Sequence, residues 1–134
     1  MKHLLLMTTA LLLLGGCRES FDEQLERKTA EESRRICPME VEPNNRLDSM
    51  AYRPATRTLH YWYTLSGPLD TPEMHRTMTA GAGSLRAQLR QNIANSVELK
   101  EAKEHGVSFC YSYRSDSTGK TILQLSFQPR DYGR

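Results

Sequence analysis

The sequence is short of the residue groupings on which most enzyme sites are built. Its 134 residues include three cysteines, four histidines and one tryptophan. No Cys-X-X-Cys, HExxH or G-x-S-x-G spacing occurs, which removes the common redox, zinc and serine-hydrolase signatures. Acids and bases alternate along polar stretches, so no pair of carboxylates stands out as a glycosidase couple. The formal net charge is only +2, too little clustered positive charge for nucleic-acid binding. The longest apolar run, residues 4–14, is too short to cross a bilayer, which takes ~20 apolar residues. Neither a cofactor nor a metal site is expected.

That short run has another use. Lys2 and His3 precede it, only Thr8 and Thr9 interrupt it, and Leu14-Gly15-Gly16-Cys17 closes it. The length fits the apolar region of a secretory signal, ~7–15 residues. The order of charge, apolar stretch, small residues and cysteine resembles the lipobox of bacterial lipoproteins. The resemblance implies that residues 1–16 are a signal peptide and that Cys17 carries a diacylglycerol and becomes the first mature residue, its amine usually acylated with palmitate or a similar chain. Several acyl chains hold a protein firmly to a bilayer where one does not. Arg18 stands where these lipoproteins carry aspartate when retained at the inner membrane. The implied address is therefore the outer membrane, facing the periplasm. Cleavage would leave 118 residues of net charge +1, enough for one small domain.

With Cys17 assigned to lipid, Cys37 and Cys110 remain in an oxidising compartment. A disulfide between them would close a loop of about 70 residues, worth ~4 kcal/mol on a chain-entropy model. Two free thiols are the alternative.

Residues 17–36 read as the lipidated N-terminus and a charged helix, with opposite charges four apart at Glu23–Arg27 and Glu31–Arg35. As a free tether, residues 18–36 would span ~28 Å; as a packed helix, they would lie loosely on the domain. Cys37-Pro38 ends this element. Residues 37–128 form the domain. Two strands, residues 46–53 and 57–65, make a first hairpin. In the second strand Leu59, Tyr61, Tyr63 and Leu65 share one face, and His60, Trp62 and Thr64 the other. With both faces partly apolar, this strand is expected at the sheet centre, covered on each side.

Asp70-Thr71-Pro72-Glu73 has the form of a helix start, and that helix is expected to end by Met78. Ser84 is expected to cap a second helix, with Leu85, Leu89, Ile93 and Val97 in an apolar stripe. Helix is expected to continue to His105, ahead of Gly106. Residues 107–113 alternate strictly, a turn centres on Gly119, and residues 121–127 return. Residues 129–134 read as a loose polar tail. The fold class is α+β: an N-terminal helix, then a four-stranded antiparallel sheet from two hairpins, with helix across one face.

His60, His75 and His105 lie on different elements, which argues against a metal site. Gly81-Ala82-Gly83-Ser84 lacks the lysine of a phosphate loop. Aromatics at strand spacing serve mainly in packing. Trp62, with His60 beside it, is the candidate contact residue, because it faces away from Tyr61 and Tyr63. Residues 37–128, with Leu47-Asp48-Ser49, the tyrosine-rich strand and the stretch at 106–113, are similar to small exported bacterial proteins of uncharacterised function. Secretin pilotins, also lipid-anchored and of this size, offer an analogy. These features point to a non-enzymatic lipoprotein that is held to the membrane by its lipid and binds an envelope protein partner. A small-ligand-binding lipoprotein is the alternative.

Overall fold

A computed structural model of the chain describes residues 18–133. Cys17 and the signal-peptide region lie outside the described residues. Helix α1 (Phe21–Ile36) is followed by strands β1 (Met39–Glu42), β2 (Asn45–Arg53) and β3 (Thr58–Leu65). Three helices come next, α2 (Pro72–Ala80), α3 (Ala82–Asn95) and α4 (Lys100–Glu104), then β4 (Ser108–Ser115) and β5 (Thr121–Phe127). The strands form one sheet in the order β1-β2-β3-β4-β5.

The sheet corrects the expectation of four antiparallel strands. A fifth strand, β1, pairs with β2 along one edge. The two halves join in parallel, β3 against β4, from Thr58 opposite Ser108 to Leu65 opposite Ser115. Parallel neighbours need a long crossover, usually helical, and residues 66–107 with α2 to α4 supply it. β3 is central as expected, but it is not covered on both sides. The side chains of Leu47, Tyr52, Leu59, Phe109, Tyr111 and Phe127 are buried on one face, where the helices lie. Among the described residues no element covers the other face.

α1 is part of the domain and not a spacer. Ser20 caps it, its Oγ accepting from the Glu23 amide at 3.2 Å. Asp22 and Glu23 sit in the first turn and Arg34 and Arg35 in the last, each suited to the helix dipole. Phe21 and Leu25 pack against the core. Tyr52 Oη donates to Asp22 Oδ1 at 2.6 Å, and Phe21 stacks on His105 at 3.7 Å. Beyond Leu47 the outer edge of β2 has no strand partner, and Ser33 Oγ accepts from the Met50 amide there at 2.9 Å. The ion pairs differ from the expected ones: Arg27 meets Glu19 and Glu31, and Arg35 meets Glu32.

Local rules held at several ends. Thr71 caps α2, its Oγ1 accepting from Met74 at 3.1 Å. Gly106 and Gly119 both take φ of +70°, a region glycine enters without Cβ strain. Three expectations failed nearby. Gly81, not Ser84, caps α3, and Ser84 lies inside the helix. The helix stops at Asn95, so Val97 leaves the stripe and is 84 % exposed, whereas Ile93 is fully buried. The tail is not loose: Tyr132 is buried, donates to the Val107 carbonyl at 2.7 Å and meets Phe109 edge-on.

The candidate site on the open sheet face

Residues 60, 62 and 64 of β3, 110, 112 and 114 of β4, and 124 and 126 of β5 alternate onto the uncovered face. His60 and Trp62, two apart on β3, stack with ring centres 4.0 Å apart and planes within 9°. Arg53, at the end of β2, sets its guanidinium 5.7 Å from the Trp62 ring, within reach of a cation–π attraction. His60 Nε2 shares a 2.7 Å hydrogen bond with Ser112 Oγ on β4. Burial, and secondarily the Arg53 charge, hold the His60 imidazole below its usual pKa, which favours a neutral ring against the indole.

Next to this stack is a polar cluster. Asp48, at a β2 bulge between Leu47 and Ser49, takes Arg46 Nε at 2.6 Å and lies 3.9 Å from the Arg114 guanidinium. Thr64 also donates to Asp48, and Arg114 reaches Thr64 Oγ1 at 3.4 Å. Stack and cluster together line a shallow concavity of about 420 Å³. Its one carboxylate, Asp48, is committed to two arginines, so no acid orients the imidazole of the Ser112–His60 pair among the described residues. The arrangement offers a rigid aromatic surface with donors around it, suited to recognition. No group of three or more metal-ligating side chains occurs among the described residues.

Of the residues singled out in the sequence, His60 and Trp62 come together and Cys110 lies on the same face. Arg53 and Arg114 were missed. Strand alternation puts Ser112 on this face, and Arg53 and Arg114 with it, opposite Thr58 and Thr64; their contacts with Trp62 and Asp48 left no sequence signal. The Cys37–Cys110 bridge is not formed: both cysteines are free thiols. Cys110 is buried on the open face, where its sulfur accepts from Ser126 Oγ at 3.5 Å. Cys37 ends α1 on the helix side, within electrostatic reach of Tyr63. The sheet stands between them.

The helix-covered face is built differently. In-register β3–β4 pairing sets Tyr61 on Tyr111 and Tyr63 on Tyr113, with centres 4.9 and 5.0 Å apart. Burial raises all four phenols, Tyr63 to about 12. Beside this row a groove of about 420 Å³ runs between the sheet and α2–α3, with Leu65, Leu69, Met78, Leu85 and Leu89 in its walls. His75 does meet an acid, Asp70, at 2.7 Å. Ser115 Oγ, however, donates to Asp70 and not to the imidazole, so this His75 cluster holds no nucleophile–base contact.

A five-stranded mixed sheet with helices on one face and an aromatic, arginine-rimmed face left open defines a small α+β domain. Residues 20–124 match the family described as a domain of unknown function, DUF8479, and the chain belongs to that family. Among solved structures, it is similar to a protein of Pseudomonas aeruginosa described as secreted: TM-score 0.68, 16 % identity, 83 % of this chain and 95 % of that one covered. It is also similar to EpsS, the pilotin of the Vibrio vulnificus type 2 secretion system, with TM-score 0.50, 9 % identity, and 84 % and 96 % covered. At such identities the likeness is one of fold. No curated protein matches the sequence significantly.

Proposed function

We propose that this protein is a lipid-anchored, non-enzymatic component of the bacterial envelope, held at Cys17 on the periplasmic side of the outer membrane, that binds a protein partner through its open sheet face. The observation that carries the reading is the uncovered face itself, with Trp62 stacked on His60 and flanked by Arg53. An aromatic surface rimmed by arginine is the composition typical of energetic centres in protein interfaces. Sharing a fold with a secreted protein and a secretion-system pilotin supports an exported setting. The leader and cysteine at residues 1–17 support the anchor.

The two parts are tested separately. Cys17→Ala should abolish palmitate labelling and release the chain from membranes; unchanged labelling would overturn the anchor. Trp62→Ala should remove most of a partner captured by crosslinking in intact envelopes, with thermal melting shifted by under about 1 kcal/mol of stability. Undiminished capture would remove the face from consideration, and a large melting loss would make Trp62 a core residue.

A second reading rests on the apolar groove between the sheet and α2–α3. Its leucine and methionine walls suit a small apolar ligand. Saturable binding of a fluorescent fatty-acid probe, lost in Leu85→Asp and kept in Trp62→Ala, would favour it.

A further inference from the structure

A second concavity, of about 620 Å³, lies where α2 meets the β4–β5 turn. Its lining includes His75 and Arg76 from one side and Thr118, Lys120 and Thr121 from the other, and no carboxylate. Half of the other described lysines and arginines meet an acid: Arg27, Arg35, Arg46, Arg57, Arg86, Lys100 and Arg114. Arg76 and Lys120 meet none among the described residues. Asp70, which joins α2 to the turn, is turned away from the hollow, its side chain only 4 % exposed. It accepts from Ser115 Oγ at 2.6 Å, the Ser117 amide at 2.8 Å and His75 Nε2 at 2.7 Å. These bonds lock the turn against α2 and fix the imidazole by one nitrogen. Thr118 Oγ1 accepts from the Lys120 amide at 3.2 Å, so its own proton is available to a ligand.

We propose that this concavity binds the phosphate group of an organic phosphate, with Arg76 and Lys120 as charged donors and the Thr118 hydroxyl as a neutral one. Arg76 and Lys120 line the same hollow, where one dianion can accept hydrogen bonds from both. The hollow exceeds a bare phosphate, and Ala80 and Ile122 in its lining offer apolar surface to the rest of the molecule. The phosphate could belong to a soluble ester or to a lipid headgroup, and the fold favours the first. Phe21 at the start of α1 stacks on His105, near the residues that open β4, while Ser115 closes that strand. Seven residues of strand put these ends ~23 Å apart. Phe21, where the anchor proposed above would lead into the domain, therefore lies at the opposite end of the sheet from the concavity.

The test is calorimetric titration of the full chain in dodecyl maltoside with inorganic phosphate, glycerol 3-phosphate and dihexanoyl phosphatidylglycerol. Glycerol 3-phosphate should bind saturably, and the double variant Arg76→Glu, Lys120→Glu should weaken it at least about tenfold, the scale of losing a charge-assisted hydrogen bond. Arg90→Glu, an exposed cation on α3, should leave it unchanged. Saturable binding of phosphatidylglycerol alone, lost in the same variant, would keep the phosphate site and assign it to a lipid headgroup. Absence of saturable binding by all three, or equal weakening by Arg90→Glu, would overturn the proposal. If the charge reversals lower the melting temperature, Arg76→Gln with Lys120→Gln gives the same readout.

Discussion

The two faces of the sheet come from the same strands, residue by residue in alternation, yet they solve different problems. On one face, tyrosines at 61, 63, 111 and 113 bury their rings in two stacked pairs beneath the helices. On the other, at 60, 62, 112 and 114, a histidine, a tryptophan, a serine and an arginine engage one another and nearby side chains without a roof. The first face holds the core; the second is the one proposed above for contact. Aromatic content does not separate them; the partners of each ring do.

The largest effect that could break this division lies on the covered side. Phe127 is fully buried, edge-on to Tyr111 and beneath the Arg86 guanidinium. Phe127→Ala should cost about 3–5 kcal/mol in urea unfolding, the range for truncating a core phenylalanine. A loss below 1 kcal/mol would mean that the covered face is not the core. A smaller effect is pH-dependent and tests the clasp at the end of the sheet. Hydrogen bonds from Ser115 and Ser117 hold the Asp70 carboxyl well below its ordinary value of 3.8. A depressed folded-state value means that the ionised group stabilises the fold above pH 4, and that this is lost as pH falls toward the folded value. Asp70→Asn should therefore melt earlier than the parent at pH 5, with the gap narrowing toward pH 2. A gap independent of pH would separate the clasp from the charge of Asp70. The last test moves no stability at all. Denatured Cys17→Ala protein, handled without reductant, should titrate two thiols, one from each side of the sheet; none would mean that Cys37 and Cys110 are joined and that α1 ends elsewhere.

Much of this division was legible before any coordinates. Period-two alternation assigned Trp62 and Tyr61 to opposite faces, and β5 was read with its observed limits. Pairing direction was not legible, because an alternating strand looks the same beside a parallel or an antiparallel neighbour; the helical crossover was the available cue. β1 escaped because four exposed residues carry no inside–outside signal. Helix α1 read as a possible spacer because its apolar stripe is thin, and only tertiary contacts at Phe21, Leu25 and Tyr52 dock it. At the site, the His60–Trp62 pair followed from spacing. Arg53 and Arg114 pair in plain register with Thr58 and Thr64, but composition does not say that a strand-end arginine folds over the Trp62 ring or that Arg114 reaches Asp48 across β3.

The parallel join between β3 and β4 also governs the order in which the chain can fold. Its partners are 50 residues apart, as at Thr58 and Ser108, so the central seam closes only after every helix has emerged. Contacts that distant in sequence form slowly. Until then β3, with three aromatic residues in its eight, carries an unpaired edge, the feature that most readily recruits a second chain. Incomplete or stalled copies should therefore aggregate through residues 58–65, and a chain delivered unfolded has its strongest need of a holding chaperone there.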